Sequence, residues 1–225
     1  MKSDGDNKVE EVQEWHSLSK TIGKFSQGNI SEIYKEKYET GFSTLDSALG
    51  GGLTSGVTIL GAISSLGKST FALQLAQNIS RNGHQVLYFS LEMPNDRIAA
   101  KAISRQIFLN KKKENYKMDI DSNILMCGKE FKDDQWEIIN KARKIVEEES
   151  KNLYIYDVEW LYWKNRKENN FNGAYSGDEI IKEVNRFTQA KKVKPLVIVD
   201  YLQILSPSDG RFSTDKQIVD DSMRK

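Results

Sequence analysis

The residues best suited to chemistry in this chain are Lys68, Ser69 and Asp200. Lys68 and Ser69 lie near the end of GAISSLGKST, residues 61–70, and Asp200 ends the apolar run PLVIVD. The string Ala62-x-x-x-x-Gly67-Lys68-Ser69 differs by one residue from the phosphate-binding loop G-x-x-x-x-G-K-[ST]. A triphosphate is a dense anion and needs donors on all sides. A loop of small residues lets backbone N–H groups turn inward, and a following helix adds free N-terminal amides. Ser64, Ser65, Leu66, Gly67, Lys68, Ser69 and Thr70 are therefore the candidate phosphate cradle. Lys68 is expected to reach the β- and γ-phosphates. The Ser69 hydroxyl is the expected ligand of Mg2+, and the Asp200 carboxylate is expected to hold the ion from the opposite strand through water, since this hard cation takes oxygen donors. Ala62 stands where the strict pattern has glycine. Its methyl is acceptable only if the backbone there avoids positive φ, with Gly61 as the alternative source of freedom.

These groups need a strand before the loop, a helix after it and a second strand ending at Asp200. The pattern supplies all three. Residues 57–60 read as a strand, and Phe71, Ala72, Leu75, Ala76 and Ile79 form a helical stripe that Gly83 is placed to stop. QVLYFSLEM, residues 85–93, reads as a strand buried on both faces. Ile98, Ala102, Ile103 and Ile107 mark a second helix, and the lysine-rich stretch 110–122 reads as a solvated connection. Trp136, Ile139, Ala142, Ile145 and Val146 mark a third, followed by the strand LYIYD. Ser176 and Glu179 form a capping box before Ile180, Ile181, Val184 and Phe187, and the strand at 196–199 closes the series. Strands alternating with helices predict an α/β fold, a mostly parallel sheet sandwiched by helices. Upstream, Val9, Val12, Trp15, Leu18, Ile22 and Phe25 form one helical stripe within a polar segment, residues 1–39. A short helix is expected before the glycines 50–52.

Composition narrows the function classes. At 225 residues with 38% hydrophobic and 29% charged residues, the chain reads as one sizeable soluble domain. No apolar run is long enough to span a bilayer, and the polar start lacks a secretory pattern, so no membrane partner and a cytoplasmic location are expected. One cysteine excludes an internal disulfide, and His16, His84 and Cys127 have no metal-ligand spacing. A net charge of +1 is not the footprint of a strong polyanion binder. Nucleic acid would have to meet a local patch, or several weak patches gathered in an oligomer.

The pieces TGFSTLD, GGGL, GAISSLGKST, FSLEM and DYLQIL, in this order across residues 40–205, resemble the RecA-like ATPase domain of DnaB-type replicative DNA helicases. Alanine at the Ala62 position is usual in that family. The resemblance implies a RecA-like P-loop NTPase over residues 40–225, with 1–39 as a linker segment. It implies ATP hydrolysis with Mg2+, coupled to movement along single-stranded DNA by a hexameric ring of identical subunits. Glu92 of FSLEM would polarise the attacking water. Gln203 of DYLQ would relay the nucleotide state to the DNA-facing loop. Arg211 and Phe212, in the loop 206–214, would contact DNA with one charge and one stacking surface. The aromatic and basic stretch within 159–177 looks like an insertion. It reads more readily as a hairpin burying its tryptophans than as a second nucleic-acid contact.

The same resemblance implies two further strands after Lys225. One would lie between the phosphate-loop strand and the Asp200 strand, and the other would precede a basic finger inserted into a neighbouring subunit. The last strands of the fold are thus expected to be missing, and the chain is expected to be a fragment. An arginine finger is worth about 10³–10⁵ in rate, so this polypeptide alone is expected to bind nucleotide and hydrolyse it very slowly. Two alternatives stand beside this reading. One is another RecA-like ATPase, of recombinase or clock type. The other is a non-catalytic nucleotide-binding adaptor of a helicase ring.

Overall fold

The computed structural model describes residues 36–114, 120–127, 130–157 and 176–200, with Leu18 and Ile22 as isolated helical positions. The chain divides into two units, Met1–Lys37 and Tyr38–Lys225. In the first unit Leu18 and Ile22 are both exposed, and the other members of the predicted stripe lie outside the described residues. The elements named below all belong to the second unit.

The centre of that unit is β1, Val86–Ser90, whose sequence VLYFS is β-prone and buried at every position. It pairs in parallel with β2, Leu153–Asp157, on one side and with β3, Leu196–Asp200, on the other. A strand flanked on both edges and covered on both faces favours a near-continuous apolar run, as Val86–Phe89 form here before the buried Ser90. Alternation then assigns each face. Leu87 and Phe89 pack with Tyr156, Ile180 and Phe187, so α6, Gly177–Lys191, covers one face. Val86 and Tyr88 pack on the other face with Ala72, Leu73, Ala76 and Ile79 of α2, Lys68–Arg81, and Ile98 of α3, Asn95–Glu114. A satellite cluster of Ile107, Ile120, Ile139 and Ala142 joins α3 to α5, Asp133–Glu149, beside the short α4, Ser122–Met126. The sheet is parallel with helices on both faces, as the alternating pattern predicts.

Local signals end the helices where expected. Gly83 adopts φ 90° just after α2, which removes the penalty a side chain would meet there. The glutamate half of the predicted capping box forms, with the Ser176 N–H donating to Glu179 Oε2 at 3.2 Å. The short helix before the glycines is α1, Ser43–Ala48.

Two expectations are overturned. Residues 57–60 form no strand, and Val57 and Ile59 are 76% and 70% exposed. A strand exists only through a ladder neighbour, and among the described residues none lies beside this segment. Residues 110–122 are not one solvated connection. Helix α3 continues to Glu114, Asn110 is buried on it, and Ile120 is buried in the satellite cluster. The lysines set the polarity of that stretch but are good helix formers, so they extend the helix.

Candidate nucleotide-binding site

The site assembles where the loop 61–67 enters α2. Gly67 is the N-cap residue and sits at φ 94°, a left-handed conformation that glycine adopts without steric cost. Ser65 is also left-handed, at φ 63°, while Gly61 and Ala62 are not. The condition on the Ala62 methyl is therefore met without help from Gly61. Ser64, Ser65, Leu66, Gly67 and Thr70 are exposed, and Lys68 and Ser69 are half-buried. The Lys68 ammonium folds back over the loop, donating to the carbonyls of Ala62 at 2.9 Å and Ile63 at 3.3 Å. A cation thus lies over a loop whose neighbouring helix end presents unpaired amides, the arrangement that suits an anion.

Strand parity brings Asp200 to this place. Leu196 and Ile198 pack on the α2 face of the sheet, and Asp200 continues the same alternation at the end of β3. The Ser69 hydroxyl donates to Asp200 Oδ1 at 3.1 Å. The Tyr88 hydroxyl donates to Asp200 Oδ2 at 2.7 Å and lies 3.5 Å from the Ser69 carbonyl oxygen. Tyr88 is opposite Ile198 in the register, so it meets Asp200 diagonally, within reach of an aromatic side chain. Burial, the adjacent Asp200 charge and the hydrogen bond to it push the Tyr88 hydroxyl well above its usual value, so it stays protonated.

Glu92 leaves the same edge of the sheet. Ser90 pairs with Asp200 in the register, and the Leu91 N–H donates to the Asp200 carbonyl at 2.9 Å. The Ser90 hydroxyl donates to the Met93 carbonyl at 2.7 Å, which turns the chain and leaves Glu92 exposed. On the other side of β1, buried Asp157 accepts from the Asn95 N–H at 2.8 Å and holds the start of α3. Lys101 of α3 reaches back to Thr70 Oγ1 at 3.3 Å, adding a second cation beside the first turn of α2. Gln203, Arg211, Phe212 and the stretch 159–175 lie outside the described residues.

Tyr88, Lys101 and Asp157 carry no signal in a linear reading. Tyr88 looks like one more core aromatic, and Lys101 like one more surface lysine. Only the register and the packing of α3 bring Tyr88 and Lys101 to the loop, and Asp157 to the start of α3. The donor set itself suits Mg2+: one carboxylate and one hydroxyl, both hard oxygens. No group of three or more His, Cys, Asp or Glu side chains converges among the described residues, so an all-protein cage for a transition metal is not part of this site.

A profile of the DnaB-like helicase C terminal domain matches residues 38–224. The chain belongs to that family. Similar sequences include a replicative DNA helicase DnaB of Helicobacter pylori, 26% identical over 181 residues, 80% of this chain and 32% of that protein. The DNA repair protein RadA of Aquifex aeolicus is 27% identical over 173 residues, 75% of this chain and 34% of that protein. The chain thus spans about a third of the length of the curated relatives it matches. Among solved structures, one ATPase domain superposes with a TM-score of 0.63 at 23% identity, covering 94% of this chain and 66% of that one. A DnaB-like replicative helicase, solved in a study of its interactions with primase, gives 0.59 at 24% identity, covering 91% and 42%. These likenesses are to the fold, and they make it RecA-like. Within the described residues no helix is long and apolar enough to cross a membrane.

Proposed function

We propose that this chain is the ATP-binding core of a DNA helicase, in which Mg2+-dependent hydrolysis drives movement along single-stranded DNA in a ring of subunits. The observation that carries the reading is the 3.1 Å contact between Ser69 and Asp200 at the mouth of a loop capped by Lys68. Two oxygen ligands and a cation converge there from separate elements.

In this reading the amides of 64–70 and the Lys68 ammonium bind the β- and γ-phosphates and orient the γ-phosphorus. Ser69 and Asp200 would hold Mg2+, which would supply positive charge against the phosphate oxygens. Glu92 accepts hydrogen bonds from a water and directs it at the γ-phosphorus. The water oxygen bonds to phosphorus as the β–γ bridging bond breaks. ADP leaves, and the water's proton passes to Glu92. Lys101 and Thr70 steady the first turn of the phosphate-binding helix. The finer roles of Gln203 as a relay and of Arg211 and Phe212 as DNA contacts belong to the same proposal, as does the division at residue 39 between linker and ATPase domain.

The level of identity to RadA proteins matches that to DnaB proteins, and this favours a second reading, an ATPase of DNA repair on the same fold. The test is hydrolysis by the chain with and without single-stranded DNA, followed by unwinding of a forked duplex in a preparation extended beyond residue 225. Slow hydrolysis by the chain and unwinding by the extended protein are expected. DNA-stimulated hydrolysis without unwinding favours the repair reading, and absence of nucleotide binding refutes both.

A further inference from the structure

Tyr88 is fully buried among the apolar side chains of α2 and α3, yet it carries a hydroxyl. A phenylalanine would fill the same space without desolvating a polar group, so the hydroxyl needs a partner. Its partner is Asp200 Oδ2, at 2.7 Å, while Oδ1 accepts from Ser69 at 3.1 Å. The two carboxylate oxygens are thus held by different donors. An aspartate can exchange its oxygens by turning about its last side-chain bond. A short O–H···O⁻ bond from a residue fixed in the central strand prevents that turn.

We propose that Tyr88 is a positioning residue for the metal-binding carboxylate: it holds Asp200 Oδ2 and so turns Oδ1 toward Ser69, where the two side chains would hold the ion. The inference rests on the nucleotide-binding reading above and adds a residue to it. Donation to Oδ2 also draws some charge from the carboxylate, which by itself weakens metal binding. The orienting effect is the larger of the two, since loss of an outer partner of a metal ligand typically lowers affinity by about 10–100-fold.

The test uses the full chain with ADP and Mn2+, the ion being titrated by electron paramagnetic resonance. Tyr88→Phe keeps the ring, and Tyr88→Leu is a second variant without the hydroxyl. Circular dichroism melting identifies which of them is folded. In a folded variant the Mn2+ dissociation constant should rise about 10–100-fold, with ADP affinity in chelator unchanged. Added to Asp200→Ala, loss of the hydroxyl should have no further effect on Mn2+, because its action passes through the missing carboxylate. Unchanged Mn2+ affinity in a folded Tyr88 variant overturns the inference alone. So does an equal loss in the Asp200→Ala background. Failure of the wild-type chain to bind ADP at all overturns the nucleotide-binding reading and this inference with it.

Discussion

Ser69 and Asp200 are separated by 131 positions in the chain, and their side-chain oxygens are 3.1 Å apart. Nothing local brings them together. Ser69 is placed by the start of α2 and Asp200 by the end of β3, and α2 packs on the sheet face that carries Leu196 and Ile198 of β3. The contact links a helix N-terminus to a strand C-terminus, the edge at which open α/β sheets bind ligands.

Replacing Lys68 should weaken nucleotide binding without unfolding the chain. Among the described residues its ammonium is held by two exposed loop carbonyls. A hydrogen bond involving a charged group is worth about 1.5–3 kcal/mol. Lys68→Ala should therefore raise the ADP dissociation constant roughly tenfold to a hundredfold. Fluorescence titration with a labelled ADP reads this, and melting should shift little.

The glycines at 41 and 67 should respond differently to alanine. At Gly67 a Cβ would meet nothing within 4 Å, so the penalty is the left-handed backbone alone, about 1–2 kcal/mol. At Gly41 the backbone is also left-handed, at φ 77°, and a Cβ would come within 2.6 Å of Asn78 Nδ2. Gly41→Ala should lower the denaturant midpoint more than Gly67→Ala. Gly67→Ala should impair nucleotide binding more.

Asn78 ties the start of the second unit to the phosphate-binding helix. Its amide donates to the Thr40 carbonyl at 2.8 Å and accepts from Arg105 at 3.0 Å. Asn78→Ala leaves the buried Thr40 region without its donor. A loss of about 1–3 kcal/mol is expected in a urea titration.

Asp46 should give a pH-dependent increment of stability. Desolvation pushes its carboxyl up, but hydrogen bonds from Thr40, Gly41 and Phe42 together outweigh this and hold it below the ordinary 3.8. A depressed folded value means the unfolded state takes up the proton first. The increment is therefore present above pH 3.8 and is lost as the pH falls through the lower folded value. Urea midpoints of wild type and Asp46→Asn should differ at neutral pH and converge in acid. A gap that stays constant with pH would contradict this.

Much of the fold is legible in the residues because it is local. The run VLYFS can only be a doubly covered strand, the stripe after Thr70 can only be a helix with one buried face, and Gly83 can end it. What escapes is non-local. The apolar residues at 57–60 have the composition of a strand, but a strand also needs a neighbour, and a linear reading cannot supply one. Helix α3 runs past Asn110 because Ile107 and Ile120 find Ile139 and Ala142, a contact made further along the chain in α5. In the site, Lys68, Ser69 and Asp200 are named by motif, whereas Tyr88 becomes visible only when the β1–β3 register is known.

A bound polyphosphate should carry one metal ion with it, held by the start of α2 and the end of β3. A crystal of the chain grown with ADP and Mn2+, measured at the manganese edge, tests it most directly. One anomalous peak is expected beside Ser69 Oγ and Asp200 Oδ1, with the β-phosphate against the amides of 64–69. Nucleotide density elsewhere, or manganese away from both side chains, would contradict it.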